Sequence, residues 1–171
     1  MAEYTTITSS SLNDPTNKIR KLPSSPNLPP SLNFSHFLGP LGMTGLTAYS
    51  SLYEIGKPKP GETIFISAAS GAVGQIVGQI AKREGLRVIG SVGSDGKLQY
   101  IVDELGFDGG FNYKKEKTKE ALERLAPKGV DIYYDNVGGE QLDGVMWAIN
   151  VGARIVVCGM VSTRFAFGIG E

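Results

Sequence analysis

Three small residues at a fixed spacing form the strongest chemical signal in the sequence. Ala69, Gly71 and Gly74 make an A-x-G-x-x-G pattern, which follows an apolar run and opens a helical one. Small residues at these positions let a helix N-terminus, with its free N–H groups and positive dipole end, approach an anion. In a strand–turn–helix unit the pattern predicts a site for the diphosphate of a dinucleotide. A tight turn that binds no ligand is the alternative.

The residues after the next predicted strand indicate which dinucleotide the site prefers. In sites that prefer NAD, an acid about 20 residues past the glycines accepts hydrogen bonds from the ribose. Here the strand ends at Ser91 without an acid, and Lys97 follows. A lysine attracts the 2′-phosphate that an acid would repel, so the sequence favours NADP. Two alternatives stay open: Asp95 is interpreted as a helix N-cap rather than a ribose ligand, and Lys97 could be an ordinary solvated lysine.

The composition limits the other kinds of chemistry. The 171 residues include 17 basic and 17 acidic ones, so no excess charge favours nucleic acid or an anionic membrane as a partner. With Cys158 and His36 as its single cysteine and histidine, the chain cannot assemble a Cys/His zinc site, and we expect no bound metal. Cys158 is interpreted as a small buried hydrophobe rather than a nucleophile. The low cysteine count and the absence of a secretory pattern predict a cytoplasmic location.

The elements that must position these residues alternate between strand and helix after Gly61. This order predicts an α/β fold, a Rossmann-like doubly wound parallel sheet of about five strands. Leu142, Val145, Met146 and Ile149 have the spacing of a core-facing helical stripe. The predicted strands are 63–67, 87–92, 109–113, 131–136 and 153–158, and the predicted helices are 72–84, 96–105, 117–125 and 139–149.

The sequence divides into three segments. Residues 1–40 are rich in Ser, Asn and Pro and predict an irregular N-terminal segment with a short strand near residues 4–7. Residues 41–163 predict the NADP-binding domain, which starts with a helix near 41–53, and residues 164–171 form a divergent tail. Because a full dinucleotide fold has six strands and the tail is too short for a crossover and another strand, we expect an incomplete sheet.

Several segments, in order and in register from about residue 35 to 163, resemble one known family. The chain resembles the zinc-independent medium-chain dehydrogenases/reductases, in the branch of leukotriene B4 dehydrogenase, prostaglandin reductases and NADP-dependent alkenal double-bond reductases. Members of that family carry an N-terminal β-barrel domain. The first 40 residues of this chain look like a remnant of the edge of that domain. The matching segments are residues 38–49, 68–74, 93–97, 111–113, 134–139 and 158–162.

The resemblance implies a cofactor role for each matching residue. Lys97 and Tyr113 would bind the 2′-phosphate of NADP, Asn136 would contact the cofactor, and Thr47 would approach the nicotinamide. Tyr113 could instead be a strand-end aromatic or a core residue, and Asn136 could form an Asx turn. Two whole segments are also implied: Gly71, Ala72, Val73 and Gly74 around the diphosphate, and Cys158, Gly159, Met160, Val161, Ser162 and Thr163 beside the nicotinamide.

The implied reaction is reduction of a carbon–carbon double bond conjugated to a carbonyl, in a small-molecule enone or enal, as in secondary metabolism. Hydride would go to the β-carbon and a proton to the α-carbon, while the protein orients the reactants and stabilises charge on the carbonyl oxygen. The residues of this chain identify no general acid, so the catalytic residues stay unknown. Two alternatives are open: a quinone reductase of the same superfamily and a truncated remnant that binds cofactor without turnover. A homodimer is also left open.

Overall fold

The computed structural model describes residues 34–161 together with Pro29 and Leu32. A 3₁₀ turn (Phe34–Leu38) leads into helix α1 (Met43–Ser51), which ends in a π-helical turn (Leu52–Gly56). Five strands and four more helices then alternate. They are β1 (Thr63–Ile66), α2 (Ala72–Arg83), β2 (Arg87–Val92), α3 (Asp95–Gln99, continued by a π-helical turn over Tyr100–Glu104), β3 (Gly109–Asn112), α4 (Thr118–Leu125), β4 (Val130–Asp135), α5 (Gly139–Val145) and β5 (Ile149–Val157).

The five strands form one parallel sheet in the order β3-β2-β1-β4-β5. The order reverses between β1 and β4, where Ile66 pairs with Gly90 of β2 on one side and with Tyr134 of β4 on the other. Ligands of doubly wound sheets bind outside the carboxyl ends of the strands at such a reversal. The predicted α/β fold with a parallel sheet of about five strands is confirmed.

Apolar side chains cover the sheet on both faces, as expected for parallel strands. On one face Ile64, Ile66 and Val88 pack under α1, α2 and α3. On the other face Phe65 stacks between the rings of Phe111 and Tyr133, at centroid distances of 5.8 and 5.1 Å, under α4 and α5. The two clusters fix the strand ends at which the predicted site lies.

The main error of the sequence prediction is at the end of the fold. Helix α5 ends at Val145 rather than at residue 149, and β5 begins at Ile149 rather than at residue 153. Met146, predicted on a core-facing stripe, is 52% exposed, because the chain turns away there to let Val130 N–H donate to the Ala148 carbonyl. The strand predicted near residues 4–7 and most of the predicted N-terminal segment and tail lie outside the described residues.

Candidate functional site

The turn between β1 and α2 has the close packing that its small residues predicted. Ala68 adopts a left-handed conformation with φ 49°, and its carbonyl accepts a 2.9 Å hydrogen bond from the N–H of Gly71. A Cβ on Gly74 would lie 2.6 Å from the Ala68 carbonyl oxygen, so only glycine allows α2 to start this close to β1. Ala69, which stands where the pattern usually has glycine, is fully buried opposite Gly90.

Gly71 is exposed and has an ordinary φ of −74°. A Cβ there would lie 3.0 Å from the Ala68 carbonyl oxygen, which is a tight contact, and the absence of a side chain also leaves room for a ligand that approaches the main chain. No side chain caps the N-terminus of the twelve-residue helix α2 among the described residues. The first-turn N–H groups of Ala72, Val73 and Gly74 therefore remain for an anion, and the turn fits a diphosphate.

The exit of β2 corrects the interpretation of Asp95. Ser94 is the N-cap of α3, since its Oγ accepts from the Lys97 N–H, and Asp95 is the first helical residue. The Asp95 carboxylate accepts instead from Asn112 Nδ2, at 2.9 Å, and from Lys115 Nζ. These two hydrogen bonds lower the pKa of Asp95. They tie the acid to the end of β3, while Lys97 stays exposed on the first turn of α3.

Tyr113, the first residue after β3, lies against the same β2 exit. A Cβ on Gly93 would come within 3.1 Å of the Tyr113 hydroxyl oxygen, so the glycine makes room for the phenol. The side chain is 45% exposed, which rules out the alternative that Tyr113 belongs to the core. The structure thus brings the loop of Lys97 and the hydroxyl of Tyr113 to one place.

Asn136 follows β4 and joins its end to that of β1. Its Nδ2 donates to the Ser67 carbonyl at 2.7 Å, and its backbone N–H donates to Ser67 Oγ at 2.8 Å. The Asx turn proposed for Asn136 is made by its neighbour Asp135, whose Oδ1 accepts from the N–H groups of Val137 and Gly138. With one N–H of Nδ2 bound to Ser67, Asn136 Oδ1 and the second N–H remain for a ligand.

The segment after β5 crosses over Asn136. The N–H of Cys158 donates to the Asp135 carbonyl at 2.8 Å, and the N–H of Val161 donates to the Asn136 carbonyl at 3.4 Å. Gly159 and Met160 lie between them, with Met160 next to Gly138. Ser162 and Thr163 lie outside the described residues. The structure thus groups residues 158–161 with Asn136 at the carboxyl ends of β4 and β5.

Cys158 and Thr47 lie on the α1 side of these strand ends. Cys158 is half-buried and hydrogen-bonds the hydroxyl of buried Tyr134, whose pKa is raised by burial and by that hydrogen bond. Thr47 Oγ1 donates to the Met43 carbonyl within α1, so its hydroxyl proton is already engaged. One turn later, Ser51 Oγ lies 2.7 Å from the Tyr134 hydroxyl and joins α1 to β4.

Sequence reasoning missed the buried polar residues that support the site. Asp135 Oδ1 also accepts from Tyr133, at 2.7 Å, and the pKa of this tyrosine is raised by burial. Buried Ser91 donates to Gln141 on α5 at 2.5 Å. The signal was present, because Ser91 and Asp135 interrupt strands that are otherwise almost wholly apolar, and buried polar side chains require partners.

A cavity of about 500 Å³ opens at this carboxyl edge. It lies between the β1–α2 turn, the end of β3, and the β4–α5 turn. Its lining includes exposed Glu140 and buried Gln141, so its polar groups come mainly from α5. The residues that line it are Ala68, Tyr113, Val137, Gly138, Gly139, Glu140, Gln141 and Val161.

The described part of the chain has neither a metal-binding cluster nor a membrane-spanning helix. Within residues 34–161 no group of three or more His, Cys, Asp or Glu could hold a metal ion. Over the same residues no helix is both long enough and apolar enough to cross a membrane.

Comparison with known proteins agrees with this geometry. The family model described as "Zinc-binding dehydrogenase" matches residues 72–170, which is more than half of the chain. The chain belongs to this family. The resemblance to the zinc-independent medium-chain dehydrogenases/reductases of the alkenal-reductase branch is thereby confirmed.

Relatives within the zinc-binding dehydrogenase family agree over most of the chain. The NADP-dependent oxidoreductase RED1 of Cochliobolus heterostrophus is 69% identical over 134 residues, which is 78% of this chain and 38% of that protein. A 2-alkenal reductase (NADP(+)-dependent) of Nicotiana tabacum is 52% identical over 129 residues, 75% of this chain and 38% of the relative.

A solved structure of the family gives the same result. The crystal structure of CurA in complex with NADPH from Vibrio vulnificus superposes with a TM-score of 0.75 at 47% identity, over 80% of this chain and 41% of that one. The chain thus spans about two-fifths of the length of these relatives.

Proposed function

We propose that the chain is the NADP-binding part of a reductase that reduces the carbon–carbon double bond of enones or enals. The observation that carries the proposal is the uncapped N-terminus of α2 beside exposed Gly71, at the point where the strand order reverses. This arrangement suits a dinucleotide diphosphate. The names of the relatives support NADP as the cofactor and an alkenal as the substrate class.

In this proposal the phosphates lie over two strand ends. The backbone of Gly71, Ala72, Val73 and Gly74 would hold the diphosphate, while Lys97 and Tyr113 would hold the 2′-phosphate. The contact between Tyr113 and Gly93 supports the second assignment, since it puts a hydroxyl donor at the loop that carries Lys97. Charge-assisted hydrogen bonds to the 2′-phosphate, which NAD lacks, would distinguish NADP from NAD.

The nicotinamide end would lie over β4 and β5. Asn136 Oδ1 would accept a hydrogen bond from the cofactor, and residues 158–161, Ser162 and Thr163 would line the nicotinamide, with Thr47 nearby. Bound NADPH would supply the hydride of the reduction. The part played by Ser67 and Asp135 is to hold Asn136 and the β4–α5 turn in one conformation before the cofactor arrives. The cytoplasmic location and the homodimer stay predictions.

Replacement of Lys97 tests the cofactor site. Because a hydrogen bond to a charged group contributes about 1.5–3 kcal/mol, Lys97→Ala should weaken NADPH binding by roughly ten- to hundred-fold and leave NADH binding unchanged. Binding is measured by the fluorescence of the reduced nicotinamide. Lys128→Ala is the matched control, since Lys128 lines a depression with Thr63 and Arg87 at the opposite, amino end of the strands. An equal loss for both dinucleotides would contradict the phosphate role.

Turnover tests the reaction class. We expect NADPH oxidation with an alkenone such as 3-nonen-2-one to exceed NADPH oxidation with a simple quinone. A faster quinone reaction would assign the chain to the quinone reductases instead. Binding of NADPH without turnover of either substrate would contradict the proposed activity but support the proposed cofactor site. That result would favour the alternative of a truncated remnant that binds cofactor without catalysis.

A further inference from the structure

The buried hydrogen bond between Ser91 and Gln141 is the feature of the site that the proposed function does not use. Ser91 is fully buried in β2, Gln141 is 6% exposed in α5, and the bond joins two elements that are 50 residues apart. The backbone carbonyl of Ser91 also accepts the Ala69 N–H of the β1–α2 turn. Ser91 therefore fixes both the glycine turn and the side chain of Gln141.

The hydrogen bond leaves one polar group of Gln141 for a ligand. Its Oε1 accepts from Ser91 Oγ, and the amide NH₂ has no assigned partner among the residues that the structure describes. Gln141 lines the cavity of about 500 Å³ at the carboxyl edge. The NH₂ group of this held side chain is thus available to a molecule in the cavity, whereas its neighbour Glu140 is exposed.

The position of the cavity identifies the ligand group, and this step depends on the proposed function. If Lys97 and Tyr113 hold the 2′-phosphate, the base lies close by, because phosphate and base are attached to adjacent carbons of one ribose. Tyr113 lines the cavity with its side chain and meets Gly93 with its hydroxyl. The cavity therefore adjoins the phosphate position on the side of α5. Adenine has ring nitrogens that accept hydrogen bonds and no strong ring donor at those atoms.

We propose that Gln141 is a specificity-determining residue, whose amide NH₂, fixed by Ser91, donates a hydrogen bond to a ring nitrogen of the adenine base. The donor NH₂ of Gln141 would then select a planar heterocycle that places an acceptor nitrogen in the cavity. The glycine turn and Lys97 recognise phosphates, and Gln141 recognises the base that carries them.

The test compares two ligands that differ only in the base. Adenosine 2′,5′-bisphosphate carries both phosphates and adenine, whereas ribose 2,5-bisphosphate carries the phosphates alone. In the full chain we expect Gln141→Leu to weaken the binding of adenosine 2′,5′-bisphosphate by about three- to ten-fold, the effect of one neutral hydrogen bond. The affinity of the variant for ribose 2,5-bisphosphate should equal that of the wild type. Calorimetric titration measures both affinities.

Two further variants separate recognition from folding. Gln141→Glu keeps the shape and replaces the NH₂ donor with an acceptor, so it should weaken the adenosine ligand at least as much as Gln141→Leu. Ser91→Ala frees the amide and should cause a smaller loss that is also confined to the adenosine ligand. An equal loss for both ligands, or no loss for either, would overturn the proposal. If the wild-type chain bound neither ligand, the proposed cofactor site itself would fail.

Discussion

At the scale of the residue, small side chains decide how closely the elements of the site approach. Gly74 lets α2 begin against the β1–α2 turn, and Gly90 makes room for the methyl group of Ala69. The A-x-G-x-x-G pattern therefore has two functions in one turn. Gly74 and Ala69 serve packing, whereas exposed Gly71, where a Cβ would come within 3.0 Å of the Ala68 carbonyl oxygen, also leaves the backbone open to a ligand.

Gly78 is a glycine whose replacement should overpack the core. A Cβ there would lie 2.0 Å from Cζ of the buried Phe107 ring, so Gly78→Ala should lower the free energy of unfolding by about 1–3 kcal/mol through overpacking. Gly96→Ala is the matched control, because Gly96 is helical and a Cβ there would meet nothing within 4 Å. That variant should gain about 0.5–1 kcal/mol from helix propensity. Denaturant unfolding measures both, and equal effects would contradict the packing argument.

At the scale of the element, one carboxylate joins α2, β2 and the start of β3. Asp108 accepts from Lys82 Nζ at 2.8 Å and from the Val88 N–H at 2.7 Å. Partial burial alone would raise the pKa of Asp108, but the hydrogen bonds from Lys82 and Val88 outweigh it, and the pKa is lowered. The ionised form of the Asp108 carboxylate is therefore more favoured in the folded state than in the unfolded state.

The sign of this pKa shift predicts how stability depends on pH. The contribution of Asp108 is complete above the unfolded pKa of about 4 and is lost as the pH falls through the lower folded value. Asp108→Asn should lower the melting temperature at pH 7, and the difference from the wild type should shrink towards pH 3. Asp103→Asn changes an exposed acid outside the ion pairs found among the described residues, and it should leave the melting temperature at pH 7 almost unchanged. A constant difference at every pH would contradict the role of ionised Asp108.

At the scale of the whole molecule, Arg154 joins the last strand to the first helical segment. Its guanidinium binds both oxygens of Glu62, at 2.9 and 2.6 Å, and donates to the carbonyls of Gly56 and Lys57. These contacts connect β5, the residue before β1, and the end of the π-helical turn after α1. They hold α1, and with it Thr47 and Ser51, beside the ends of the central strands.

Arg154→Lys should therefore destabilise the whole molecule. A lysine keeps the charge but cannot bind the carboxylate in a bidentate manner or reach both carbonyls, so we expect a loss of about 1–2 kcal/mol. Arg124→Lys is the control at the more exposed pair with Glu116, in which Nη2 alone donates to both carboxylate oxygens, and the loss there should stay below about 0.5 kcal/mol. Chemical denaturation measures the difference, and equal losses would show that burial of the pair has no effect.

The sequence predicted the central features of the molecule because they depend on local pattern. The strand bounds of β2 and the start of α2 follow from apolar runs and glycine spacing, and both agree with the structure. The prediction failed where tertiary contacts decide. The end of α5 depends on a hydrogen bond between Val130 and Ala148, and the Asx turn belongs to Asp135 because buried Tyr133 fixes its carboxylate. Ser91 stands out as a polar residue in an apolar strand, but its pairing with Gln141, 50 residues away, leaves no local signal.

The shift in register of β5 divides the ladder of backbone groups along that strand. Val130 pairs with Ile149, but Ile132 pairs with Arg154, so the chain between them bulges out of the ladder at exposed Val151 and Gly152. Within the described residues β5 has a neighbour on one side. Because the bulge lies in the middle of β5, a further extended chain added to the described sheet would find an uninterrupted row of backbone partners along residues 154–157 and not along the whole strand.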